Sequence, residues 1–136
     1  MTPNYKNLLR LDGHTFVVLG AGDGIGQEVS MALSQCGAHV VCVDSSAERA
    51  KAVAAAVGGS PVTADVTRRE DMARVFTQAG QRSGRGPLGI VDVVGMVVRN
   101  SLASPDDAAW RRQFELVLDH AWLALQLGAQ AMKDRG

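Results

Sequence analysis

The chain has 136 residues, 46 % of them apolar, and its 14 Lys and Arg balance its 14 Asp and Glu to a formal net charge of zero. That length supports one domain with a proper core, 1–136, and is too short for two. Balanced charge excludes the basic face that nucleic acid or an anionic membrane surface requires, and no apolar run approaches the roughly 20 residues of a membrane span.

Residues 1–10 read as a polar N-terminal arm without an apolar signal core, so a soluble cytoplasmic protein is expected. Leu11-Asp12-Gly13-His14 is a turn into a first strand over 14–19. The apolar run Phe16-Val17-Val18-Leu19 then stops at Gly20-Ala21-Gly22-Asp23-Gly24-Ile25-Gly26, and a helix-compatible segment over 27–35 follows at once. Ile25, Val29, Ala32, Leu33 and Cys36 share one face of that helix, and Gly37 is expected to end it. The near-continuous apolar run His39-Val40-Val41-Cys42-Val43-Asp44 reads as a strand buried on both faces. Cys36 and Cys42 have no framework spacing and no histidine in a ligand pattern. Both are expected to be buried thiols, with no metal site.

Ser45 and Glu48 have capping-box spacing and open an Ala-rich helix to about 57, stopped by Gly58-Gly59. A short third strand over 61–64 is followed by Asp65-Val66, and Thr67 with Glu70 repeats the capping box for a helix to about 79. Residues 80–87 read as a polar loop, and Ile90-Val91-Asp92-Val93-Val94-Gly95 as the fourth strand and its exit. Ser104-Pro105-Asp106-Asp107 combines a cap, a first-turn proline and two acids, opening a last helix to about 133. Phe114, Leu118, Ala121, Trp122, Leu125, Ala129 and Met132 are expected to be its buried stripe, with Leu116 and Leu123 widening it. Such a wide apolar face fits either sheet packing alone or a helix–helix interface.

Alternating strands and helices predict an α/β fold: a Rossmann-like, doubly wound parallel sheet of about four strands in three α/β/α layers. Ligands bind such sheets at the carboxyl ends of the strands, and Gly22, Asp44, Asp65 and Gly95 all fall there. A Gly-rich turn between strand and helix can offer a phosphate the free N–H groups and positive dipole end of the helix. A Cβ on the turn would hold a pyrophosphate away. The candidate dinucleotide site is therefore Gly20, Gly22, Asp23, Gly24, Ile25, Gly26, Asp44, Asp65, Val66 and Gly95. A polar strand end is the alternative reading of Asp65, and Asp92 reads as a cofactor contact, a turn residue or a helix-facing acid. His14, His39 and His120 read as surface or packing histidines.

These residues resemble the N-terminal half of a short-chain dehydrogenase/reductase over about 11–134. The family's Thr-Gly-x-x-x-Gly-x-Gly turn is matched by Leu19 through Gly26, with Gly20, Gly24 and Gly26 kept. The resemblance implies that Asp44 holds the adenosine ribose hydroxyls, which suits NAD over NADP because a carboxylate repels the extra phosphate and no arginine directly follows. It implies that Asp65-Val66 lies along the adenine. The departures are Leu19 for threonine, Asp92-Val93-Val94-Gly95 for Asn-Asn-Ala-Gly, and Val117 at the position of the family's active-site asparagine.

The family's catalytic serine and Tyr-x-x-x-Lys pair have no counterpart. Tyr5 is the single tyrosine and no lysine follows it by four, so no catalytic residue is assigned. Two expectations follow. One is an NAD-dependent oxidoreductase of an alcohol or carbonyl substrate, truncated here before its catalytic half. The other is a non-catalytic NAD-binding or dimerising module, such as a sensor. Both expect a homo-oligomer through the helix 105–133, and the first expects a small-molecule substrate.

Overall fold

The computed structural model describes residues 5–83, 86–97, 99, 103, 106–133 and 135. After a short 3-10 turn at Tyr5–Leu9, the chain alternates β1 (Thr15–Leu19), α1 (Gly24–Gln35), β2 (His39–Asp44), α2 (Ala47–Val57), β3 (Ser60–Thr63), α3 (Arg69–Ser83) and β4 (Leu88–Asp92). It ends in α4 (Asp107–Phe114), a π turn (Glu115–Asp119) and α5 (His120–Met132). The four strands form one parallel sheet in the order β3-β2-β1-β4, with Leu19 opposite both Val43 and Asp92. The chain moves outward from β1 through β2 to β3 and then returns to the other side of β1. The switch point of this doubly wound sheet therefore lies between β1 and β4.

Alternation along the strands separates two cores, as the period of two requires. Val17, Leu19, Val41, Val43 and Val62 pack with Met72, Val75 and Phe76 of α3 and Leu123 and Ala124 of α5. Val18, Val40 and Cys42 face the other way, onto Val53 and Ala54 of α2 and Val29 and Leu33 of α1. The result is the expected three layers. Pro61 is tolerated because β3 is an edge strand.

Three local expectations need correction. The cap of α2 is Ser46 rather than Ser45: its hydroxyl accepts from Arg49 N–H, and Ser46 N–H in turn donates to Asp44. Helix α3 runs four residues past Ala79, into the expected loop, and Thr67 donates its hydroxyl to Asp65 instead of opening a capping box. The last helix is capped by Asp106, which accepts from Ala108 and Ala109 N–H, while Ser104 and Pro105 lie outside the described residues.

The buried face of that helix is also not the expected stripe. Leu116, His120, Leu123, Ala124 and Gly128 face the protein, whereas Phe114, Leu118, Trp122, Leu125 and Ala129 face outward; Met132 alone of the larger members packs against the core. Close approach explains it. A Cβ on Gly128 would collide with Ile90 Cδ1 and press on Phe76, so α5 sits near enough to the sheet to require small residues there. Phe114, Leu118, Trp122 and Leu125 occupy the opposite face, while Leu116 and Leu123, expected to widen the stripe, are buried.

Candidate functional site

β1 runs directly into the Gly-rich turn. Gly20, at φ 79°, is in the left-handed region, and the N–H groups of Gly20 and Ala21 both donate to Val43 O at 2.9 Å. On its other side the turn meets the exit of β4, where Val93 N–H donates to Leu19 O at 3.2 Å. A Cβ on Gly20 would stand 3.1 Å from Val94 Cγ2. Gly26 is where α1 crosses the turn: a Cβ there would collide with the Gly20 carbonyl oxygen and lie 2.9 Å from Ala21 Cα. Glycine is demanded there by packing. At Gly24 it is demanded by φ +51°, and a Cβ would face open space, leaving the mouth of the turn clear.

The first turn of α1 carries N–H groups with no carbonyl partner inside the helix. Asp23, exposed, takes one of them: Oδ1 accepts from Gly24 N–H at 2.7 Å. The cap thus brings a negative charge to the helix end. Ile25 is 72 % exposed beside it, although it belongs to the apolar set of α1.

Asp44 closes the turn from β2. Its side chain is 8 % exposed, and Oδ2 accepts from Gly22 N–H at 3.1 Å while Oδ1 accepts from Ser46 N–H at 2.8 Å. A Cβ on Gly22 would collide with Asp44 Oδ2 and lie 2.6 Å from Arg49 Cβ, so the middle glycine makes room for the acid. Arg49 was not foreseen. From the first turn of α2 its Nε and Nη2 donate to Asp44 Oδ1 at 3.1 and 2.8 Å. The hydrogen bond with Asp44, the charge of Asp44 and the charge of Asp23 all raise the Arg49 pKa above its ordinary value. The signal was present as an arginine three residues after the capping Ser46, one helical turn from the strand end.

Asp65 follows β3 on the same rim, half-buried. Its Oδ1 accepts from Thr67 Oγ1 at 2.7 Å and from Thr67 N–H at 3.0 Å, and its own N–H donates to Asp71 Oδ2 at 2.9 Å. The Thr67 hydroxyl, helped by the Thr67 N–H, holds the Asp65 carboxyl below the usual aspartate range. Val66 points into the core, so only its backbone faces the rim.

At β4, Asp92 is a helix-facing acid: it pairs with His120 of α5 and accepts from Val94 N–H at 3.1 Å. Gly95 is exposed and borders open space. Val117 is 52 % exposed in the π turn. The rim therefore unites the Gly turn, Asp44 and the β4 exit through direct contacts, with Asp65 one strand further out. A cradle cleared of Cβ atoms, with a buried acid hydrogen-bonded to it, fits a nucleotide. Among the described residues no cluster of three His, Cys, Asp or Glu could hold a metal ion, and no helix is long and apolar enough to cross a membrane.

Comparison with known proteins agrees with this geometry. The short chain dehydrogenase family model matches residues 14–136. Galactitol 2-dehydrogenase (L-tagatose-forming) of Cereibacter sphaeroides is 31 % identical over 137 residues, covering 98 % of this chain and 53 % of that protein. Among solved structures, a hydroxysteroid dehydrogenase from Escherichia coli superposes with TM-score 0.86 at 30 % identity, over 98 % of this chain and 57 % of that one. A 7 alpha-hydroxysteroid dehydrogenase complexed with NADH and 7-oxo glycochenodeoxycholic acid gives TM-score 0.84 at 28 % identity, over 99 % of this chain and 54 % of that one. The chain spans about half the length of the curated relatives it matches.

Proposed function

The chain belongs to the short-chain dehydrogenase family, and from that premise we propose that 1–136 forms the dinucleotide-binding unit of an NAD(P)-dependent oxidoreductase acting on an alcohol or carbonyl group in the cytoplasm. The observation that carries this reading is the hydrogen bond from Gly22 N–H to Asp44, which joins the phosphate cradle to a buried acid at the end of β2. In this reading the α1 first turn and Gly22, Gly24 and Gly26 receive the pyrophosphate, with Asp23 and Ile25 at its edge. Asp44 accepts from the adenosine ribose hydroxyls, Asp65-Val66 borders the adenine, and Gly95 lies at the nicotinamide side. The cofactor, when bound, supplies hydride exchange at the nicotinamide ring.

These residues bind and orient; none of them moves the substrate proton. No proton-transfer group is assigned among these 136 residues, and the chain spans about half the length of the curated relatives it matches. NAD is preferred, on the strength of Asp44. Titration calorimetry with NADH is the test: micromolar-range binding that Asp44→Ala weakens at least tenfold supports the reading, and no binding refutes it.

A second reading is a non-catalytic module that pairs with itself. The outer face of α4 and α5 exposes Trp110, Phe114, Leu118, Trp122 and Leu125 together. Self-association through this face is common to both readings. Turnover of an alcohol by the full-length gene product decides between them.

A further inference from the structure

Two acids end the strands that flank the Gly turn, and their charges are balanced differently. Asp44, the last residue of β2, is paired with the Arg49 guanidinium. Asp92, the last residue of β4, is paired with a histidine, and among the described residues no lysine or arginine pairs with it. A neutral imidazole that donates one N–H leaves a carboxylate its full charge. His120 Nε2 makes that contact, and Nδ1, buried, has no partner among the described residues that could accept a second proton. The pair therefore presents the charge of a carboxylate whose side chain is 22 % exposed at the mouth of the β4 exit.

Resting on the dinucleotide reading above, we infer that Asp92 sets the balance between the two redox forms of the cofactor: its carboxylate favours the oxidised nicotinamide ring, a cation, over the reduced ring, which is neutral. The pyrophosphate and the adenosine are common to both forms, so Asp23, Asp44 and Asp65 act on both alike. Asp92 stands apart from those acids, at the switch point, where β4 runs beside β1 and Asp92 lies opposite Leu19. Its Oδ1 accepts from Val94 N–H at 3.1 Å, and Val93 N–H donates to Leu19 O. The carboxylate thus holds the segment that presses on Gly20 through Val94 and leads to Gly95. That segment, Val93-Val94-Gly95-Met96-Val97, carries no charge of its own. A lone charge beside partly buried apolar groups is screened less than one in water, so it reaches further. His120 is the positioning residue: from α5 it fixes the carboxylate without cancelling its charge, as a guanidinium would.

The test is titration calorimetry of the whole chain with NAD and with NADH at about pH 8, where a histidine is ordinarily neutral. Asp92→Asn keeps the size of the side chain and an accepting oxygen and removes the charge. It is expected to shift the ratio of the two dissociation constants about threefold towards NADH, the order of one charge acting across several ångströms of partly solvated protein. The double variant Asp92→Asn, His120→Gln replaces the pair by two amides that can bond each other, and the same shift is expected; it serves where the single variant does not fold. Damage to the site weakens both forms alike and leaves the ratio where it was, so the ratio separates charge from structure. A variant that binds both forms with an unchanged ratio, or with one shifted towards NAD, overturns the inference. Failure of the unaltered chain to bind either form removes the dinucleotide reading, and the inference with it.

Discussion

His120 Nε2 lies 3.1 Å from Asp92 Oδ2, tying the first residue of α5 to the last residue of β4. His120 is 2 % exposed, and its Nδ1 has no hydrogen-bond partner among the described residues. The imidazole is therefore held through Nε2, which lies 3.1 Å from Asp92 Oδ2 and 3.3 Å from Oδ1. Asp92→Ala leaves both ring nitrogens of a buried imidazole unsatisfied and is expected to destabilise the fold by about 1–3 kcal/mol. Asp92→Asn, which keeps an accepting oxygen, should lose less than half of that. Urea unfolding followed by circular dichroism measures both, and equal losses would mean that charge rather than hydrogen bonding carries the contact.

Gly26→Ala tests the helix–turn crossing. The new methyl would collide with the Gly20 carbonyl and crowd Ala21 Cα, and both obstacles are backbone that cannot rotate aside. A loss of at least about 2 kcal/mol is expected, in the range of overpacked cores. Gly24→Ala strains a positive φ without a clash, so it should lower the melting temperature less.

Acid should weaken the rim before it weakens the rest. The Thr67 hydroxyl and N–H hold Asp65 below its ordinary value of 3.8, and the Arg74 side chain, with the Asp65 N–H, does the same for Asp71. A carboxyl whose pKa is lower folded than unfolded stabilises the fold fully above about pH 4 and loses that contribution as the pH falls through the folded value. Thr67→Val removes the largest cause at Asp65. Its urea midpoint should fall below that of the unaltered chain at pH 7, and the gap should close as the pH falls from 3.8 through the lower folded value. A constant gap across that window would show that the hydroxyl acts through packing instead.

The two thiols should differ in reactivity. Burial pushes the Cys42 thiol up to about 11 despite a hydrogen bond with Ser30, while Cys36 is only half-buried at the end of α1. Iodoacetamide at pH 8 is expected to label Cys36 in the native protein, and both residues after denaturation. Rapid native labelling of Cys42 would mean that the α2 face of the sheet opens locally.

What the sequence made legible was local. The strands, the Gly turn and Asp44 follow from runs, punctuation and a strand end, each decided within a few residues. The missed features are set across the chain. His120 and Asp92 are 28 residues apart, and nothing in the sequence near either one names the other. Arg49 lies five residues from Asp44, beyond the adjacent position where an arginine was sought. The helical period in the last helix runs through Phe114, Leu118, Trp122 and Leu125 as well as through the face of Leu116, Leu123 and Ala124, and period alone does not say which of the two meets the sheet. The close approach of α5 to Ile90 and Phe76, which only Gly128 allows, depends on residues far away in the chain.

That inversion bears on assembly. With Ala124 and Gly128 turned to the sheet, Trp122 and Leu125 are left 61 % and 69 % exposed on an apolar outer face that extends to Trp110 and Phe114 of α4. Contiguous exposed apolar surface of this kind favours association with a matching surface, and a second copy of the chain supplies one through a two-fold axis. Trp122→Glu places a charge at the centre of such a contact without touching the core cluster. Sedimentation should show the unaltered chain as a dimer or larger and the Trp122→Glu chain as a monomer with an unchanged melting temperature at low concentration. A monomeric unaltered chain would instead assign the outer face of α4 and α5 to a different partner.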